Sequence, residues 1–127
     1  MIPVHASVPK LLATMPGQPD TDQPSLERRI SGAPRRETWN VVDQPVAASR
    51  LYCGVWRCEP GHWRIAFPDH EHELFTVLQG RCRVHDEQGS FQEAGPGEAL
   101  FIPGGFRGSF EVLETVIKTY MIVSPQA

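Results

Sequence analysis

The chain is 127 residues long, carries a formal net charge of -3 and is 40% hydrophobic. That length is one domain's worth, enough to enclose a hydrophobic core without staples. Lys and Arg are scattered with no basic stripe and no basic amphipathic helix, so nucleic acid and membrane surfaces are not expected partners, and the apolar runs are too short to cross a bilayer.

Residues 1–38 read differently from the rest. "MIPVHASVPKLLATMPG" has no charged segment followed by a long apolar one, so it does not read as a signal peptide. "MPGQPDTDQPS" is rich in Pro, Gly and Asp without an apolar period, which predicts an extended, partly disordered N-terminal arm. "SLERRI" is compatible with one helical turn capped by Ser25. Over 39–127 the chain becomes a series of short strands. "RLYCGVWRC" stops at a Pro-Gly turn, "HWRIAF" at Pro68, "ELFTVLQ" at Gly80 and "CRVH" at "DEQG". "SFQE", "EALFI", "FRGSFEVL" and "TVIKTYMIV" complete the series. Such regular strand spacing with almost no helical period predicts an all-β sandwich or barrel. Gly80 and Gly89 fall where tight strand connections need positive φ.

The cysteines are Cys53, Cys58 and Cys82. An odd count without a repeating spacing argues against a disulfide framework. Cys53 and Cys58, five apart on one predicted strand, point to opposite faces. Buried apolar thiols in a reducing cytoplasm are the expectation.

Two segments carry a family likeness. "HEHELFTVLQG" sets a His-x-His pair just ahead of Glu73, with six residues between that Glu and Gly80. "GEALFIPGG" sets Gly97, Pro103 and Gly105 at the spacing Gly, five residues, Pro-x-Gly. In that order, on an all-β pattern, the two resemble the paired motifs of the cupin superfamily over roughly residues 50–123. Trp-x-x-x-Pro-Gly-x-Trp at 56–63, Pro-x-Gly-Phe-x-Gly at 103–108, and Lys118 and Tyr120 narrow the likeness. They resemble small cupins related to the ureidoglycine-aminohydrolase-like and ethanolamine-utilisation groups. The fold implied is a double-stranded β-helix, the jelly-roll barrel, with an extended N-terminal arm.

The resemblance also implies a metal held by two histidines and a glutamate of the first motif and a histidine of the second. This chain departs from it twice. The second-motif histidine position is Gly108, and Glu73 follows His72 directly. On a regular strand His70 and His72 share a face and Glu73 takes the other, so the three converge only if the chain kinks between 72 and 73. Three readings stay open. Either His70, His72 and Glu73 hold a divalent Mn, Fe, Ni or Zn with water, or the histidines sit at the barrel mouth without one, or a metal there is adventitious, with Glu73 in or out of its shell. His62, on a different strand, is expected to flank a turn, with replacement of a missing ligand as its alternative, and His5 and His85 are expected to be solvated.

A barrel of this size has room for one small ligand. The expected pocket residues are Trp63, Glu73, Phe75, Phe101, Phe106, Phe110, Lys118 and Tyr120. They compose an aromatic cavity around one carboxylate. A carboxylate inside an apolar run is costly unless paired, and Arg64, Arg81 and Lys118 are the candidate cations for Glu73. No nucleophile-base pair is visible. The reading is a small single-domain cupin that binds a small metabolite, with its activity unassigned. The alternative is a metal-dependent aminohydrolase, isomerase or dioxygenase acting on a small amide, sugar or carboxylic acid. A homodimer is expected, with the arm crossing to cover a sheet edge.

Overall fold

A computed structural model describes residues 8–12, 15 and 17–126 of the chain. His5 and most of the first part of the arm lie outside the described residues. The strands are β1 (Asp20–Asp22), β2 (Arg29–Ser31), β3 (Arg36–Val46), β4 (Ser49–Cys58) and β5 (Gly61–Ala66). They continue with β6 (His72–Asp86), β7 (Phe91–Ala94), β8 (Ala99–Ile102) and β9 (Arg107–Pro125). A single 3-10 turn covers Leu26–Arg28; Ser25 precedes it but makes no side-chain capping bond. Among the described residues there is no α-helix, and no helix is long and apolar enough to cross a membrane.

Two long strands organise everything else. β6 and β9 pair antiparallel from His72↔Val123 to Asp86↔Gly108, with register shifts around residues 77–82. On one side of that irregularity, residues 116–125 of β9 pair with β4, and the start of β6 pairs with β8. On the other side, residues 107–112 of β9 pair with β5, and the end of β6 pairs with β7. The two strands therefore pass from one sheet to another at a shared corner, as bulged strands do in jelly rolls. The first sheet runs β1-β3-β4-β9-β6-β8 and the second β2-β5-β9-β6-β7.

Two segments predicted as strand pairs are thus single strands. "ELFTVLQ" and "CRVH" are one element because Gly80 bends β6 instead of ending it. Its φ is +84°, and a Cβ there would lie 2.1 Å from the Thr115 carbonyl oxygen. Gly89 also takes positive φ, as its turn position predicts.

The arm is more structured than its composition suggests. β1 pairs with β3 through Asp20↔Thr38, and β2 pairs with β5 through Arg29↔Trp63. Each strand thereby covers an edge that would otherwise present unpaired backbone groups. Arg36 ties β1 further through Asp22 at 2.7 Å. The core fills the space between the sheets with Phe75, Val77, Cys82, Ile102, Phe110 and Val116, all nearly inaccessible.

Candidate functional site

Strand alternation decides which side chains face the interior. Along β6, Glu73, Phe75 and Val77 are buried while Leu74 and Leu78 are exposed; along β9, Phe110, Lys118 and Tyr120 are buried. The inward set contains two charges, and they meet. Lys118 Nζ donates to Glu73 Oε2 at 2.7 Å, with residue exposures of 5% and 8%. Of the three candidate cations, Lys118 is the one that faces in. Arg64 is exposed, and Arg81 bonds Glu93 at 2.9 Å. The ammonium also lies 4.0 Å from the ring centre of Phe75, 4.5 Å from Trp56 and 5.0 Å from Phe110. Aromatic faces carry partial negative charge, so this setting offsets part of the ammonium's lost hydration.

Beside the pair lies a cavity of about 450 Å³. Trp56, Trp63, Phe110, Ile65, Phe67 and Ile122 form its apolar wall, while Thr38, Asn40, Tyr52 and Tyr120 add polar groups. Trp56 meets Phe110 edge-on at 5.6 Å and 82°. The Tyr120 hydroxyl donates to Asn40 Oδ1 at 2.7 Å, and burial pushes the phenol up to about 12. Gly54 on β4 makes this placement possible: a Cβ there would lie 2.6 Å from the Tyr120 oxygen. No buried side-chain polar atom among the described residues lacks a partner.

Of the residues expected in the pocket, Trp63, Glu73, Phe110, Lys118 and Tyr120 line it, and Phe75 packs behind against the ammonium. Phe101 does not. Alternation on β8 gives the inward position to Ile102, leaving Phe101 59% exposed against the His72 ring. Phe106 lines a separate cavity of about 140 Å³ with Leu100 and Val84. Tyr52, Trp56, Thr38 and Asn40 were missed. Period-two spacing in "RLYCGVWRC" carries the signal for the first two, whereas β3 has no clear apolar period to reveal the others.

The expected metal ligands do not converge. His70 sits in the turn before β6 with φ +69° and is exposed. His72 points away from Glu73, and its Nδ1 accepts a hydrogen bond from the Gly104 N–H at 2.8 Å. Glu73 is committed to Lys118. The chain does not kink between 72 and 73, so alternation separates the imidazole from the carboxylate. His72 serves instead to pin the second motif's turn to the first. Among the described residues the lumen wall offers one carboxylate, held by an ammonium, and no imidazole or thiol, a set that does not fit a metal.

A different set of donors meets on the outer face of the second sheet. The ligand atoms of His62, His85 and Glu111 all lie within 4.8 Å of one another, a cluster that could hold a metal. All three are half-buried. His85 Nε2 is 2.8 Å from Glu111 Oε1, and His62 Nε2 is 2.7 Å from Ser109 Oγ. Burial foremost, and His85 to a lesser extent, lower the His62 imidazole against the opposing pull of Glu111. His85 is therefore not the solvated residue that its place near a strand end suggests. His62 follows its turn but belongs to β5.

Two β-sheets that share two bent strands and curl around a ligand-sized lumen define the cupin class. The chain belongs to the EutQ-like cupin domain family, whose model matches residues 46–120. Nothing among curated proteins matches it. Among solved structures it is similar to a Pseudomonas syringae protein of unknown function from the DUF861 family. That match has 24% identity and a TM-score of 0.72, and covers 86% of this chain and 46% of the other. The chain thus spans less than half the length of that relative. It is also similar to a putative ethanolamine utilization protein Q from Salmonella typhimurium, with 17% identity, a TM-score of 0.58, and 90% and 99% of the two chains covered. A third likeness is the Cnp3 cupin domain of Schizosaccharomyces pombe, with 13% identity, a TM-score of 0.57, and 85% and 88% covered. At these identities the structural likenesses establish the fold alone.

Proposed function

We propose that the lumen binds one small amphipathic metabolite, with the Lys118–Glu73 pair as its polar anchor. The carrying observation is that ion pair, at 2.7 Å, set in the wall of an aromatic cavity of about 450 Å³. A buried ion pair is a weak device for stability, because desolvation offsets most of its attraction. Placed beside open volume it has another use. An ammonium carries three N–H donors and a carboxylate two acceptor oxygens, so the pair keeps both a donor and an acceptor to offer. The pair sums to no net charge. An uncharged head with an acceptor beside a donor, such as an amide or a hydroxy-carbonyl group, suits it best. The apolar body then lies against Trp56 and Trp63.

The metal-dependent enzyme reading has less support, since its ligand set does not assemble in the lumen. Donors suited to Mn, Fe, Ni or Zn lie only at the outer cluster among the described residues. A cytoplasmic setting is part of the proposal and draws support from three free cysteines. So is a homodimer. Phe101, Leu74 and Met121, 59%, 42% and 41% exposed, stand in one row across β8, β6 and β9. Light scattering is expected to give twice the chain mass, and a Leu74→Glu/Phe101→Glu variant half of that. A monomeric parent chain contradicts the dimer.

A thermal-shift panel of small amides, hydroxy acids and sugars tests the lumen reading. A ligand at a hundred times its Kd adds about 2.7 kcal/mol and raises Tm measurably. At least one compound is expected to stabilise the parent chain and not the Glu73→Leu/Lys118→Met variant. Equal stabilisation of both, or of neither, contradicts the anchor.

A further inference from the structure

We propose that His62, His85 and Glu111 form a divalent transition-metal site on the outer face of the second sheet, separate from the lumen. The register of three hydrogen-bonded strands builds it. His62 on β5 is the cross-strand partner of Glu111 on β9, and His85 on β6 is the partner of Ser109. The two imidazoles therefore straddle β9 from opposite sides, with ring centres 4.9 Å apart. Glu111 rises between them. Ser109, 8% exposed, lies beneath, and its small side chain leaves the rings room to approach. Trp63, Phe110 and Val84, each one residue away along these strands, face the core. Alternation thus puts the cluster on the opposite side of the sheet from the lumen.

The donor set suits the ion. Two imidazole nitrogens and one carboxylate oxygen match a borderline first-row dication with a position left for water. Bonds of about 2.0–2.2 Å place two ligands of a tetrahedral ion roughly 3.3 Å apart. His85 Nε2 and Glu111 Oε1 are already at 2.8 Å, and all three donors lie within 4.8 Å. Closing the set to that spacing moves the donor atoms by up to about 1.5 Å relative to one another. Among the described residues no arginine forms an ion pair with Glu111. Arg83, beside Glu111 in register, bonds Glu93 at 2.8 Å and lies over Phe91. Ser109 Oγ lies 2.7 Å from His62 Nε2 and holds that ring in place; it stays as the outer contact if Nδ1 takes the ion and is released if Nε2 does. An ion here links β5, β9 and β6, so binding stabilises the second sheet by mass action.

The test uses the full chain made without a histidine tag and stripped with a chelator. Titration with Co(II), the spectroscopic probe, and with Zn(II) is expected to saturate at a single equivalent, with visible d–d bands for Co(II) and a raised Tm. His85→Gln and Glu111→Gln each weaken binding by at least about tenfold while circular dichroism stays unchanged. His70→Asn/His72→Gln and Glu73→Leu/Lys118→Met leave it intact. Three results overturn the site: no binding below about 100 µM, binding that survives His85→Gln and Glu111→Gln, or loss in the His70→Asn/His72→Gln variant. Should a cluster variant unfold, imidazole nitrogen NMR of the parent chain decides. Zn(II) must shift His62 and His85 and spare His70 and His72, and the reverse pattern overturns the site.

Discussion

Lys118 places a charge against one carboxylate and three aromatic faces. Removing one partner leaves the other buried and unpaired. Lys118→Met is therefore expected to cost about 3–5 kcal/mol, whereas Glu73→Leu/Lys118→Met, which removes both charges, is expected to lie near the parent chain. Chemical denaturation of the two singles and the double closes the cycle. A double variant as unstable as the sum of the singles contradicts the pairing. Much of this site is legible in the residues. "HELFTVLQ" marks Glu73 as a carboxylate inside an apolar run, which calls for a cation. Choosing Lys118 over Arg64 and Arg81 takes the register of β9 against β6, which no local signal carries. The outer cluster is further from reach. His85 and Glu111 are 26 residues apart and meet only because the register of β6 against β9 sets them side by side.

At the scale of elements, β6 and β9 carry the architecture, and their shared corner depends on one glycine. A residue at 80 needs φ near +84° and no Cβ toward Thr115. Gly80→Ala is expected to cost about 1–3 kcal/mol from backbone strain, with the close approach adding to it. Urea unfolding measures the loss. A neutral substitution contradicts a rigid corner. The glycine is plain in the sequence, but its meaning is not: a strand stop and a strand bend use the same residue. Proline and glycine placement predicts the other turns well, because Pro60, Pro68, Pro96 and Pro103 all fall outside ladder interiors. The arm resists composition-based reading for a different reason. β1 and β2 are three residues each, held by cross-strand partners and not by their own apolar period.

Across the whole molecule, burial makes the fold sensitive to alkali. Desolvation raises Cys58 to about 12 and Cys82 to about 11 from an ordinary 9.0, and Tyr120 to about 12 from 10.0. Above pH 9.0 for the thiols and 10.0 for the phenol, the unfolded chain sheds these protons while the folded chain keeps them. The unfolded state then binds fewer protons, so stability falls as pH rises toward about 11. Tm measured against pH is expected to drop across that window and to drop less in Cys82→Ala. A Tm unchanged through the window contradicts burial of the thiols. Indoles line the lumen and would report on the ligand proposed for it. The chain has three tryptophans: Trp56 and Trp63 line the cavity, while Trp39 donates its indole N–H to the Gly17 carbonyl on the other face of β3. Fluorotryptophan NMR with a compound that raises Tm is the most direct measurement. The resonances of Trp56 and Trp63 are predicted to shift with Trp39 unmoved, and the response to vanish in Glu73→Leu/Lys118→Met. A shift confined to Trp39, or one that survives in that variant, would contradict a metabolite anchored in the lumen by Lys118 and Glu73.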